Sequence, residues 1–489
     1  MRYKSTRGKA PDVDAFQALL CGLAPDGGLY IPESVPRFTK KELDEFLPLQ
    51  YDALAYAVLS PYFPIPEKIF RQILAEVYSP GRFLSSNPAP LHNWEKGAWV
   101  LSLDQGPTLA FKDMALQLLP RLLTYALSAT GESRKLLILA ATSGDTGKAA
   151  LEGFRDIPST RAAVVYPRDG VSLSQKRQMI TQGGKNIWVR GIEGNFDDAQ
   201  AQVKLAMTDS DFLASVKARG WLLSSANSIN IGRLLPQIVY YFHAYLALVR
   251  KNIISIGQAV NFCVPTGNFG DILAGWFAAQ MGIPIGRLIC ASNRNHVLTD
   301  FFSTGKYDVR RPFHATTSPS MDILVSSNLE RLLTLLSESP ESVSIWMSSL
   351  SEKGYYEVPE LLPELRRSFS AGYAQDEAVA TEIRRSWKQN NCLIDPHTAV
   401  GCSVYQSLRE DTPTVILATA SPFKFSGTVL SALQQPVPED DVLAAKELSL
   451  FTGISLPEPI RDLEDAPILH NEVIPPESLR EELLAWLEV

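Results

Sequence analysis

Lys112 stands in the run GPTLAFKDMALQLLP, between Leu109, Ala110 and Phe111 on one side and Met114 on the other, where a helix begins. Most helix lysines keep their ammonium in water. One held among apolar neighbours loses solvation, which lowers its proton affinity and favours attack on an aldehyde. A second stretch, PTGNFGD at 265–271, sets glycines in a turn that opens a helix, where unpaired backbone N–H groups and the helix dipole favour a phosphate. It has no G-K-[ST] and is not G-x-G-x-x-G, so it implies neither a nucleoside triphosphate nor a dinucleotide. The loop TSGDTG at 142–147 offers the hydroxyls of Ser143 and Thr146 and backbone donors around Gly144, a set suited to a carboxylate. Asp145 opposes a bare anion pocket there unless its own carboxylate accepts from a neighbouring donor. Last, TASPFKF supplies Thr419 and Ser421, either of which can hydrogen-bond a ring nitrogen or simply cap the next turn. Each loop alone is also what an ordinary turn looks like. Together, a Schiff-base lysine, a phosphate cradle, a carboxylate loop and a hydroxyl for a pyridine nitrogen are accounted for by one cofactor, pyridoxal 5′-phosphate, acting on an amino acid.

These loops need a frame that brings them to one place. KLLILAATSGDTGKAALEGF reads as a buried strand, a turn and a helix, and the order returns in AVNFCVPTGNFGDILAGWFAAQMG (259–282). TVILATASPFKF (414–425) is a third apolar run ending in a small-residue loop. Such alternation predicts α/β layers on mainly parallel sheets, with ligands at the carboxyl ends of the strands. After Lys112, apolar residues recur at three- and four-residue steps to Ala126, a helix that Pro120 should kink or divide. The run 234–249 is broken by Pro236, Gln237 and His243 and is too short to cross a bilayer, so it reads as a core helix. The turn-rich opening GLAPDGGLYIPESVP belongs to an N-terminal cap over residues 1–95, and 96–489 form the catalytic region, two α/β subdomains with the site in the cleft.

A chain of 489 residues exceeds what one core usually serves. Its 45% hydrophobic and 20% charged residues are the balance of a fully folded globular protein. A net charge of −7 argues against a nucleic-acid partner. The five cysteines form no C-x-x-C pair, which fits a reduced, cytoplasmic setting, and no His or Cys cluster has zinc spacing, so no metal site is expected. The N-terminus MRYKSTRGKAPD lacks the apolar core of a secretory signal, and no membrane association is expected.

The chain resembles the threonine synthase family, pyridoxal-phosphate enzymes of the tryptophan-synthase β-like fold (fold type II), in the longer subclass with an N-terminal extension. YKSTRG and GLAPDGGLYIPE resemble that family's N-terminal signature, GPTLAFKD its cofactor-lysine segment and ATSGDTG its substrate loop. GNFDDAQ, SSANSINIGRLLPQIVYYFHAY, VPTGNFGDILAG, SNRNHVLTDFFSTGKYD and SPSMDILVSSNLERLL follow in the family's order, so the likeness covers about residues 1–425. It implies that Lys112 forms the Schiff base, that Gly267, Asn268, Phe269, Gly270 and Asp271 hold the cofactor phosphate, and that Thr419 faces the pyridine nitrogen. Ser143, Gly144, Asp145 and Thr146 would receive the substrate carboxylate. Arg294, Lys176 and Arg177 are candidates for a second anion site. Two departures are visible: Ser421 where the family often has histidine, and Gln105 where a histidine is frequent.

The implied reaction is that of a carbon–oxygen lyase, converting O-phospho-L-homoserine and water to L-threonine and phosphate, with Lys112 as the base at Cα. A phospho-lyase giving 2-oxobutyrate, ammonia and phosphate would keep every residue named so far. A non-catalytic binding module is opposed by the intact Lys112, GNFGD and Thr419. Sequence leaves the oligomeric state, monomer or homodimer, open.

Overall fold

The computed structural model describes residues 1–142, 144–168, 171, 173–194 and 196–488. Its frame is two sheets. The larger runs in the order Phe369–Tyr373, Ile285–Ser292, Val260–Pro265, Thr414–Ala418, Ala98–Ser102 and Leu91–Glu95. All neighbours are parallel except the last pair, a hairpin. The smaller sheet is parallel throughout, with Lys135–Ala141 between Thr160–Pro167 and Trp221–Ser224, then Ile187–Ile192 and the short Val473–Ile474. The α/β architecture with parallel sheets is the one expected.

Helices cover both faces of each sheet, so alternate side chains enter different cores. Leu136, Ile138 and Ala140 join the main core, whereas Leu137, Leu139 and Ala141 join a second cluster with Trp188, Ile474, Leu479 and Leu483. The C-terminal segment, which carried little signal in the sequence, therefore closes the outer face of the small sheet; Trp486 stacks on Trp188 with centroids 6.1 Å apart. In the large sheet Val415 and Leu417 face the main core, and Ile416 and Ala418 face a third cluster with Val400 and Tyr405. The core helix expected at 234–249 is Ile238–Arg250, entered through a 3-10 turn at Leu235–Gln237 and buried along nearly its whole length. Pro120 divides the helical run as expected: Asp113–Leu116 ends, and Leu119–Ala129 begins with the proline in its first turn, where the missing N–H costs nothing.

The N-terminal region contributes a small antiparallel sheet of Arg2–Ser5, Val13–Asp14 and Tyr30–Pro32, with helix Ala15–Cys21 between its second and third strands and three more helices after it, the last ending at Val77. The expected boundary near residue 95 falls at the turn of the hairpin Leu91–Glu95 and Ala98–Ser102. The cap motif is tied to the rest of the chain by charge. Arg7 and Thr6 bind Glu330 at 2.9 and 2.6 Å. The wholly buried Arg331 donates to Tyr30 O at 2.9 Å, to Ile229 O at 2.5 Å and to Asn328 Oδ1. Among the described residues no helix is long and apolar enough to cross a membrane.

Replacing Arg331 with alanine strands three acceptors in the interior. A loss of about 3 kcal/mol or more is expected, read as a lower urea midpoint at unchanged slope.

Candidate active site

All three loops sit at carboxyl ends of strands, after Ala141, Pro265 and Ala418. Lys112 reaches them through backbone pairing. Phe111 N–H donates to Thr419 O at 2.9 Å, Ser421 N–H to Leu109 O at 3.0 Å, and Ala110 bridges Ala420. Asp113 closes the turn from below by accepting the N–H and hydroxyl of Thr108, both at 2.8 Å. The Lys112 side chain keeps 11% exposure and its Nζ lies 3.6 Å from Asp145 Oδ2. The other oxygen, Oδ1, accepts from Lys424 Nζ at 2.6 Å and from Gln175 Nε2 at 3.0 Å. The hydroxyl of Ser320 adds a contact to Oδ2 at 3.3 Å. Burial alone would raise the Asp145 carboxyl, but the ammonium groups of Lys424 and Lys112 hold it far below the usual carboxylate range. Burial lowers Lys112 from its ordinary value; Asp145 partly restores it, and the charges of Lys424 and Arg233 depress it further.

The loop carrying Asp145 is organised by the Thr142 hydroxyl, which accepts from the N–H groups of Gly144 and Gly147 at 3.0 and 2.9 Å and donates to Gly144 O at 3.2 Å. Gly144 has φ of 150°, which favours glycine, and a Cβ there would fall 2.4 Å from the end of the Gln175 side chain and displace it. Among the described residues the N–H groups of Asp145 and Thr146, at the start of helix Asp145–Phe154, meet no acceptor.

In the 265–271 loop Phe269 adopts the left-handed conformation, φ 63°, just before helix Gly270–Gln280. Among the described residues the N–H groups from Gly267 to Asp271 meet no acceptor, whereas the carbonyls are held: Gly267 O by the Ser326 hydroxyl, Asn268 O by the N–H and side chain of Asn328. The loop is thus fixed by its acceptors and presents its donors, as an anion site requires. A Cβ on Gly267 would press to 3.1 Å from Ser320 O. Across the site Thr419 is buried, and among the described residues its hydroxyl has no partner. Its N–H donates to the hydroxyl of Thr398, which itself donates to Asp395. Asp395 also holds His397 Nδ1 at 2.7 Å, and His397 Nε2 accepts the N–H of Ser320 at 3.1 Å. That acceptance places the imidazole proton on Nδ1. One polar network therefore runs from Asp145 through Ser320, His397 and Asp395 to Thr419.

Comparison with known proteins identifies the family. The model for the threonine synthase N terminus matches residues 2–78, and that for the threonine synthase C-terminal region matches 398–474. Threonine synthase of Pseudomonas aeruginosa is 44% identical over 88% of this chain and 90% of its own. The chain belongs to the threonine synthase family. Human threonine synthase-like 1 is 38% identical over 91% of this chain, which spans 61% of that longer protein. A crystal structure of PLP-bound threonine synthase from Brucella melitensis superposes with a TM-score of 0.89 at 38% identity, covering 100% of both chains.

Within this threonine synthase fold, Lys112, Gly144, Asp145, Thr146, the 267–271 loop and Thr419 come together. Ser143 lies outside the described residues. Asp271 enters with a restriction: its Oδ1 accepts from Tyr240 and Tyr241 at 2.6 and 2.9 Å and burial raises its carboxyl to about 6, while its N–H and Oδ2 meet no partner among the described residues. Arg294 is exposed and makes no ion pair among the described residues. Arg177 spends its guanidinium on Leu463 O and Glu464 O, both at 2.8 Å, and Lys176 lies over the Tyr166 ring. Ser421 caps the following turn by accepting from Phe423 N–H, and Gln105 binds Asp104; neither departure reaches Lys112. The charged groups missed by sequence reasoning are Lys424 and Arg233. Arg233 is buried, donates to Ala226 O at 2.7 Å, and leaves its Nε without a partner among the described residues. Both were signalled by a cation embedded in apolar sequence, FKF and IGRLL.

Thr142→Val removes the acceptor of two loop N–H groups. The expected result is a loss of about 2 kcal/mol and faster hydrogen exchange at Gly144 and Gly147, with the rest of the small sheet unchanged.

Proposed function

We propose that this protein is a threonine synthase, converting O-phospho-L-homoserine and water to L-threonine and phosphate with pyridoxal 5′-phosphate as cofactor. The observation that carries the reading is the convergence, at adjacent strand ends, of a buried lysine of lowered proton affinity with a row of backbone donors and a hydroxyl that meet no protein partner among the described residues. That donor set fits the cofactor: Lys112 for its aldehyde, the N–H groups of Gly267, Asn268, Phe269, Gly270 and Asp271 for its phosphate, and Thr419 for its ring nitrogen. When bound, the cofactor supplies an electron sink for negative charge developing at the substrate's Cα.

Lys112, released as a free amine, takes the Cα proton; its depressed proton affinity suits a base working near neutral pH. The N–H groups of Asp145 and Thr146 orient the substrate carboxylate at the start of their helix. Loss of a Cβ proton expels phosphate from Cγ; Cγ then takes up a proton to become the methyl group, water adds its hydroxyl at Cβ, and the proton held by Lys112 returns to Cα. The second anion site this needs is better met by Arg233 than by the exposed Arg294, since Arg233 is buried near Lys112 with a donor to spare. His397 and Asp395 hold Ser320 and Thr398, and so keep the two ends of the site in register. Five free thiols suit a reduced compartment, the cytoplasm.

The deciding experiment incubates the loaded enzyme with O-phospho-L-homoserine in 18O-labelled water and resolves products by mass. Threonine labelled in its hydroxyl, with equal phosphate, is expected; 2-oxobutyrate and ammonia in its place would make the protein a phospho-lyase. Lys112→Ala should abolish both the visible absorbance of the loaded protein and turnover. Thr419→Val should keep the cofactor with activity reduced about tenfold, the scale of one lost hydrogen bond to a charged group.

A further inference from the structure

The proposed reaction gives Lys424 no task, yet Lys424 is the most completely buried ammonium of the site, with no side-chain exposure at all. Its Nζ is fixed at two points: Asp145 Oδ1 at 2.6 Å and Thr108 O at 2.8 Å. Thr108 is itself clamped to Asp113, so Lys424 is anchored to the same turn that carries Lys112. Burying an ammonium costs on the order of several kcal/mol after relaxation, so Lys424 depends on the oxygens that hold it, Asp145 first.

Asp145 creates two difficulties that Lys424 offsets. A carboxylate 3.6 Å from Lys112 Nζ stabilises the ammonium, whereas a base at Cα must be neutral. The same carboxylate also stands at the start of the helix whose N–H groups would receive a second carboxylate, that of the substrate. We propose that Lys424 is a positioning residue: as the fixed counter-ion of Asp145 it frees the Lys112 amine from that carboxylate and makes the 144–146 loop electrically neutral toward an incoming carboxylate. The inference rests on Lys112 as the reactive amine, and not on the product.

Among the described residues, the charged groups facing Lys112 come from four elements. Asp145 comes from helix Asp145–Phe154, Lys424 from the turn Pro422–Phe425, Arg233 from helix Ile231–Leu234 and Asp271 from helix Gly270–Gln280, while the Phe111 ring lies 4.9 Å from Nζ. Removal of Lys424 alone leaves Asp145 to act on Lys112 without a balancing charge on its other oxygen. Removal of both Lys424 and Asp145 restores neutrality.

The test is competitive acetylation of the cofactor-free protein by trace acetic anhydride across pH, with Lys112 followed by peptide mass spectrometry. In K424M the Lys112 midpoint should rise by about one pH unit or more, a tenfold loss of neutral amine at a given pH below it. K424R, which keeps the charge, should stay within about 0.3 unit, and D145N/K424M should return to the wild-type midpoint or below. In loaded enzyme the KM for the amino-acid substrate should rise about tenfold in K424M and recover in K424R. A K424M protein with native circular dichroism and an unchanged Lys112 midpoint would overturn the proposal. If K424M does not fold, D145N/K424M decides: the proposal requires that it fold with a midpoint no higher than wild type, and misfolding or a raised midpoint refutes it. The labelling is read without cofactor, so wild-type protein that took up no pyridoxal phosphate would remove the functional reading and leave this test standing.

Discussion

The ionised Asp145 buried between two lysines is the constraint around which the site is built. Neither an isolated carboxylate nor an isolated ammonium survives as an ion in an interior without partners, because desolvation outweighs anything a single distant charge returns. Asp145 therefore has to be met by Lys424, Gln175, Ser320 and Lys112 at once, and these come from four separate segments of the chain. Bringing them together requires the parallel sheets, whose loops emerge on one side, and the backbone pairing of 109–111 with 419–421, which carries Lys112 across to the last of those loops. The geometry of the sheets is thus a condition for the charge cluster, and the cluster in turn fixes how closely the two sheets' loops approach.

A second set of contacts serves the anion loop from a distance. Asn328 holds Asn268 O, Arg331 holds Asn328, and Arg331 is itself anchored on Tyr30 O in the N-terminal sheet. Glu330, next in sequence, takes Thr6 and Arg7. The N-terminal signature residues consequently act on the site without touching it. They hold the start of helix Leu329–Ser337, whose flanking Asn328 fixes the acceptor side of the loop and leaves its donors turned outward. A left-handed Phe269 in that loop costs about 1 kcal/mol or more, which such over-determination by neighbours sustains.

The fold class, the three strand-end loops, the division at Pro120 and the buried 238–250 helix were legible because each is written in local periodicity or in a proline. The hairpin at 91–102 and the closing role of the C-terminal helix were not, since edge strands and late-docking helices are decided by what they pack on. In the site, glycine-rich turns disclosed backbone donors but not which way side chains face. The resemblance puts Asp271 in the cradle with the rest of its loop, whereas the tyrosines that bind its carboxylate lie about thirty residues earlier in the chain. Arg294 and Arg177 were singled out by charge and by place in a familiar segment, and charge alone cannot distinguish a guanidinium bound to carbonyls of a surface turn from one facing a cleft.

Lys424 makes the same point in reverse. Phe423 and Phe425 flank it as Leu109, Phe111 and Met114 surround Lys112, so the local argument for a desolvated amine applies to both. What separates them is the second neighbour. Among the described residues Lys112 meets one oxygen, at 3.6 Å, and retains an exposed edge; Lys424 meets two at 2.8 Å or less and retains none. An amine with satisfied donors and no access to solvent cannot reach a substrate, while one with a long, partial contact and an open side can. Sequence reports that a lysine is buried, and the arrangement of oxygens around it decides whether that burial yields a nucleophile or a counter-ion.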